Sequence, residues 1–253
     1  MTLFLVALQF LTRVPVRLNR FEPAWLNDCV RHFPLVGAMV GAMGAAVLVG
    51  AAQLWPAWIA AVLALATTVA LTGGFHEDGL ADTFDALGGV VSRDRALAIM
   101  KDSRIGSYGS LALGLSLMLR AALLAVLVTR PLGVAVAAVL ASHAFARASA
   151  VGLMATLPYG GDVEHAKAKP LALDIAPLNV VIALGWCVLL SAGLLALGVP
   201  PQRLLLAAVA AGLVGLLMRE WLKRRLGGFT GDGLGATEQL AEIAVLLAFT
   251  AAL

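Results

Sequence analysis

The chain is 253 residues long, 61% hydrophobic and only 13% charged, with a mean hydropathy of +0.93. A soluble domain is about 45–50% apolar and about 25% charged, so this composition excludes an ordinary water-soluble globule and indicates an integral membrane protein. Eighteen basic and fifteen acidic residues leave a formal net charge of +3, too small and too scattered to argue for nucleic acid.

The length accommodates six or seven helices of about 20 residues with short connections. The expected fold is all-α: one integral-membrane domain over residues 1–253, a polytopic transmembrane helical bundle of six or seven spans after a short N-terminal segment. Residues 1–12 are apolar but carry no basic leader and no small-residue cleavage site. They read as a re-entrant or interfacial helix rather than a signal peptide. Arg13, Arg17, Arg20 and Arg31 make the first connection basic. Phe33 to Leu54 then runs uncharged for a full span. Within it, the GxxxG pair Gly37 and Gly41 either seats a neighbouring helix or reflects the abundance of glycine in membrane helices.

Trp55 to Trp58 makes a tight turn, and Ala57 to Phe75 returns. Residues 76–110 form the longest polar segment. Leu111 to Val128 and Leu132 to Leu157 are spans joined at Arg130-Pro131; Arg120 lies within the first, His143 and Arg147 within the second. A second polar loop covers 158–177. Leu178 to Val199 and a rather short Leu204 to Met218 flank Pro200-Pro201. A third polar loop runs from Arg219 to Glu238, and Leu240 to Leu253 closes the chain as a short helix. Cys29 lies in a polar stretch and Cys187 in an apolar one, so neither a disulfide nor a metal cluster is expected.

Of the eighteen Lys and Arg residues, fourteen lie at 13–31, 93–104, 167–169 and 219–225, whereas only Arg130 and Arg203 lie in the opposite turns. The positive-inside rule then places the N-terminus and all the large loops in the cytoplasm. A transporter keeps polar groups near the midplane with access to both faces, so this asymmetry favours a membrane-embedded enzyme acting on cytoplasmic substrates.

The polar chemistry centres on residues 73–85. Four of the fifteen acidic residues fall between Glu77 and Asp85. In a helix, Asp78, Asp82 and Asp85 share one face. Crowded carboxylates repel one another, and a hard divalent cation relieves the conflict. Mg²⁺ is typically held by one or two carboxylates plus substrate phosphate oxygens. The alternative is a solvated acidic loop.

Thr230-Gly231-Asp232-Gly233 is a second glycine-flanked acidic segment on the same expected side. Asp232 and Glu238 are candidates to complete a metal site with Asp78 and Asp82, and the glycines allow backbone N–H groups to reach phosphate oxygens. Alternatively, Gly231 and Gly233 only make a loop. Between the two segments, Lys101-Asp102-Ser103-Arg104 combines two cations with a hydroxyl, which suggests phosphoryl chemistry or else an ordinary solvated charge run. An Arg within a span is costly, so Arg147 is expected to face an acidic loop residue or a substrate phosphate. His143 reads as a packed helix residue and Arg120 as structural.

Several segments resemble cobalamin synthase, the adenosylcobinamide-GDP ribazoletransferase family. They are Phe10-Leu11-Thr12-Arg13-Val14-Pro15-Val16, Phe33-Pro34-Leu35-Val36-Gly37, Gly73-Gly74-Phe75-His76 with Asp78-Gly79-Leu80-Ala81-Asp82-Thr83 and Asp85, and Arg93-Asp94-Arg95. Ile99-Met100-Lys101-Asp102-Ser103-Arg104-Ile105-Gly106 and Gly228-Phe229-Thr230-Gly231-Asp232 with Leu234-Gly235-Ala236 and Glu238 complete the likeness, which spans nearly the whole chain in order. Residues 158–165 depart from it.

The resemblance implies a multi-pass enzyme of the bacterial inner membrane, with its active site facing the cytoplasm. Such an enzyme joins α-ribazole, or its 5′-phosphate, to adenosylcobinamide-GDP with release of GMP, and requires Mg²⁺. Its partners would be those two substrates and the lipid bilayer, with no nucleic acid; a homo-oligomer or association with other corrinoid-pathway enzymes is compatible with it. Asp78, Asp82, Asp232 and Glu238 are then the expected metal ligands. Asp85, or Asp82, is the expected base, with Lys101 and Arg104 neutralising charge on the leaving GMP. His76, Asp102, Ser103, Arg147, Thr230, Gly231 and Gly233 are the expected substrate and phosphate contacts. The competing readings are a CDP-alcohol phosphotransferase-like lipid enzyme, whose fuller signature is absent, and a corrinoid or metal transporter.

Overall fold

The computed structural model describes residues 1–18, 20–161 and 175–251. Most of the second polar loop, 162–174, lies outside the described residues. The helices are α1 (Thr2–Leu11), α2 (Trp25–Asp28), a 3-10 turn (Cys29–His32), α3 (Phe33–Ala51), α4 (Ala57–Thr72) and α5 (Phe75–Leu87). They continue as α6 (Arg93–Met100), α7 (Ser107–Leu127), α8 (Leu132–Thr156), α9 (Pro177–Ala196), α10 (Pro201–Leu226) and α11 (Gly231–Thr250). Among the described residues, five spans are long and apolar enough to cross a membrane, and the bent pair α4–α5 makes a sixth if counted as one. The chain is therefore a multi-pass helical bundle, at the lower end of the expected span count.

The helices start and stop where backbone chemistry dictates. Pro34, Pro177 and Pro201 sit in first turns, where a missing N–H costs nothing. Gly73 (φ 77°) and Gly227 (φ 76°) end α4 and α10 in the left-handed region, and Gly74 (φ 72°) follows the first of them. These two adjacent glycines turn the chain by 89° between α4 and α5. The backbone N–H of Arg13 donates to the Leu71 carbonyl at 2.7 Å, fastening the N-terminal segment to this bend.

α8 is the central helix. Its most apolar window is 72% buried, against 17% for α9, which therefore lies at the periphery. The GxxxG pair does seat a neighbour. A Cβ at Gly37 would stand 2.4 Å from the His143 carbonyl oxygen, and one at Gly41 would stand 2.8 Å from that of Val139. Glycine here lets α3 and α8 touch backbone to backbone.

Two expectations about the last third of the chain are corrected. The helix expected to end at Met218 continues to Leu226, and its last turn carries Lys223, Arg224 and Arg225, which suit the negative end of a helix dipole. The final helix starts at Gly231 rather than Leu240, because the Thr230 side chain accepts the Gly233 N–H at 3.0 Å and caps it. Asp232 and Glu238 are therefore helical residues, not loop residues. Cys29 and Cys187 are both free thiols.

Candidate functional site

At one end of the bundle, three polar stretches interlock. Arg93 donates to the carbonyls of Leu226 and Gly160, both at 2.8 Å. Arg225 donates to those of Leu87 and Gly89, both at 2.8 Å. Tyr159 and Phe229 form a parallel bridge, with the Phe229 N–H donating to Pro158 and the Gly160 N–H to Phe229. The bridge needs Gly228, where a Cβ would stand 2.2 Å from the Pro158 carbonyl oxygen. These ties fix the start of α11 against α5.

α5 and α11 cross at this end with their backbones in close approach. A Cβ at Gly79 would meet the Asp232 carbonyl oxygen at 2.9 Å, and one at Gly235 would meet His76 at 3.2 Å and the Gly79 Cα at 3.4 Å. Two glycines from distant parts of the chain thus bring the Asp232 backbone alongside the turn that carries Asp78 and Asp82. Asp78 is exposed and Asp82 and Asp232 are half-buried, while His76, Glu77, Leu80 and Thr83 occupy the opposite, buried face of α5. The amphipathic pattern expected of residues 76–85 is therefore present as a helix, not as a loop.

Among the described residues, no group of three or more His, Cys, Asp or Glu is placed to hold a metal ion. The donors at the crossing are all carboxylates, hard ligands suited to Mg²⁺, which retains water and relies on substrate phosphates for the rest of its shell. They do not make the closed cage of a structural metal site.

Several residues expected at this site are committed elsewhere. Asp85 is no free base: its two carboxylate oxygens accept the backbone N–H groups of Gly106 and Gly109 at 2.6 and 2.8 Å. It caps α7 from outside the helix, and both glycines are required, since a Cβ at either would stand within 2.4 Å of an Asp85 oxygen. Thr230 and Gly233 pair with each other in the α11 cap, which removes both from the expected phosphate contacts. Gly231 stays exposed, with open space where a Cβ would be.

Asp102 pairs with Arg104 through contacts of 2.6 to 3.1 Å. The guanidinium hydrogen bonds hold the Asp102 carboxyl down at about 2 and push Arg104 upward. Lys101, Ser103 and Arg104 are all exposed at the same end of the bundle.

Glu238, His76 and Arg147 are withdrawn from the expected ligand and substrate contacts by burial. Glu238 stands 2.6 Å from His76 and 3.6 Å from Arg147, and Arg147 is fully enclosed. They belong to a buried charge cluster beneath the crossing. Glu242 is its hub, 2.7 Å from Arg120, 2.6 Å from His143 and 3.5 Å from Arg147. Arg120 also donates to Glu77 at 2.9 Å and to Gln239 at 2.6 Å. The cluster ties α5, α7, α8 and α11 together.

Glu77, Gln239 and Glu242 were not singled out by sequence. A signal existed: Glu238 and Glu242 are four residues apart on one apolar helix, His143 and Arg147 four apart on another. Ionisable groups inside spans need partners, and matched spacings supply them.

Two comparisons bear on this arrangement. A model of the cobalamin-5-phosphate synthase family matches residues 3–250. The chain belongs to this family. A protein from Leptothrix cholodnii named adenosylcobinamide-GDP ribazoletransferase is 50% identical over 250 residues, covering 98% of this chain and 95% of that protein. Proteins of the same name from Shewanella amazonensis and Albidiferax ferrireducens are 42% and 41% identical, covering 97% and 96% of this chain and 93% and 95% of their own lengths. No solved structure matches. The family match takes in every element of the crossing, from the bend at Gly73-Gly74 to the α11 cap.

Proposed function

We propose that this chain is an adenosylcobinamide-GDP ribazoletransferase of the bacterial inner membrane, with its site facing the cytoplasm. It transfers α-ribazole or its 5′-phosphate to adenosylcobinamide-GDP, releasing GMP and forming adenosylcobalamin or its phosphate. The observation that carries this reading is the α5–α11 crossing, where Gly79 lets the Asp232 backbone lie against the turn that carries Asp78 and Asp82. The names of relatives that cover nearly the whole chain support the substrates, and the basic bias of residues 13–31, 93–104 and 219–225 supports the orientation.

In the proposed reaction, a ribose ring hydroxyl, not the 5′-oxygen that carries the phosphate in the phosphorylated substrate, bonds through its oxygen to the phosphorus that bears cobinamide. The bond from that phosphorus to the bridging oxygen breaks, and GMP leaves with that oxygen. Asp82 is the carboxylate proposed to take the hydroxyl proton. Lys101 and Arg104 meet the charge passing to GMP; Arg104 does so by exchanging Asp102 for a phosphate. Asp78, Asp82 and Asp232 would hold Mg²⁺, which when bound neutralises the diphosphate and polarises the attacked phosphorus. Gly231, exposed at the start of α11, lets a phosphate approach the backbone closely.

The deciding experiment incubates purified protein in detergent with adenosylcobinamide-GDP, α-ribazole and Mg²⁺, and follows GMP by chromatography. GMP formed in step with cobalamin, without any gradient, supports the transferase. No GMP, together with corrinoid uptake into proteoliposomes, favours a transporter.

A further inference from the structure

The groove between α8, α9 and α10 takes no part in the site described above. It encloses about 640 Å³. Small residues floor it, including Ala148 and Gly152 on α8 and Ala208, Ala211 and Gly212 on α10, while Val188 and Leu195 form the α9 wall. The hydroxyls along it are already satisfied: Ser149 donates to the Ala211 carbonyl at 2.9 Å and Ser191 to that of Cys187 at 2.8 Å. Nothing in the trough calls for water.

We propose that this groove seats one acyl chain of an anionic phospholipid, from the leaflet on the side of the α5–α11 site. Its length supports that occupant. The lining on α10 runs from Ala208 to Arg219. At 1.5 Å per residue this is about 16 Å, close to half of a hydrocarbon core about 30 Å thick. A helix from a second copy of the chain would need a seat through the full thickness, and the lining covers only about 16 Å of α10.

Charge complementarity supports the headgroup. Arg219 closes the groove at the end nearer the start of α11, with its Nε donating to the Thr156 hydroxyl at 3.2 Å. Glu220 pairs with Arg219, but Lys223 follows one turn later on the same face, which leaves cations in excess at the mouth among the described residues. An apolar trough one leaflet long with a cationic mouth fits a lipid whose head carries negative charge.

The test uses the full chain in bilayer nanodiscs of phosphatidylcholine and phosphatidylglycerol, doped with phosphatidylglycerol bearing a photoactivatable diazirine in its acyl chain. Light-induced adducts are mapped by peptide. Gly152 and Gly212 both face open space, so Gly212→Leu and Gly152→Leu fill the groove from opposite sides without meeting protein. Adducts are expected on groove peptides of α8 to α10, and each filling variant should lower them at least about fivefold. Adducts near Leu115 and Met118, on the exposed face of α7, should stay unchanged. Arg219→Gln should lower labelling by the phosphatidylglycerol probe to that of a phosphatidylcholine probe. Unchanged groove labelling in both filled variants would overturn the proposal. So would equal labelling of the parent by the two headgroups, or a dimer that the filling variants dissociate without loss of adducts.

Discussion

Gly79 lies directly against the backbone of Asp232, so close that a Cβ at residue 79 would stand 2.9 Å from the Asp232 carbonyl oxygen and 3.0 Å from its Cα. Backbone cannot yield as a flexible side chain can. Gly79→Ala should therefore push α5 from α11, at a cost of about 1–3 kcal/mol in stability. Displacing Asp232 from Asp78 and Asp82 should lower GMP release about ten- to a hundredfold. Gly152→Ala, which meets open space, is the control and should keep parental turnover.

Asp82 and Asp85 lie three residues apart on α5, and Asp85 accepts the backbone N–H groups of Gly106 and Gly109. Asp85→Asn keeps one acceptor for two N–H groups and should lower thermal stability by about 0.5–2 kcal/mol, as loss of a helix cap does. Asp82→Asn should abolish turnover in protein that remains folded. Turnover of Asp82→Asn within about threefold of the parent, under about 0.7 kcal/mol of barrier, would remove Asp82 from the chemistry.

Glu242 touches two arginines and a histidine in a site closed to water. Glu242→Gln should destabilise the fold by about 3–5 kcal/mol, because it leaves buried guanidinium charge uncompensated. Adding Arg120→Met to Glu242→Gln should recover part of that loss. Thermal unfolding in detergent measures both; equal melting temperatures for parent and Glu242→Gln would show the cluster to be dispensable.

Asp102 should stay ionised far into acid. Its folded value, about 2, lies below the ordinary carboxylate range. A depressed folded value means the Arg104 contact is complete above the ordinary range and fades only as pH falls through about 2. The Asp102 carboxyl ¹³C shift in labelled protein should hold its ionised value at pH 4 and move near pH 2. Replacement of Arg104 by Gln should bring the transition back up to the ordinary range.

The spans were legible because uninterrupted apolar runs have only one use at this length. The acidic face of α5 was legible too, since its period matches a helix. The full extent of α11 was hidden because glycine and acidic residues at its start look like a loop until the Thr230 cap is recognised. The cap that Asp85 makes on α7 was hidden for a related reason. A sequence shows that a carboxylate is near a catalytic motif, but not that Gly106 and Gly109 come within reach of it from a later helix. The buried charge cluster required knowing which spans are neighbours, and single-chain periodicity does not encode that.

The 89° bend at Gly73-Gly74 has a consequence for the corrinoid substrate. An upright helix staggers successive aspartates like rungs, so a bulky hydrophilic molecule would have to burrow to touch the lower one. If Asp78 and Asp82 grip the diphosphate as proposed, α5, laid crosswise to α4, presents them side by side rather than one beneath the other.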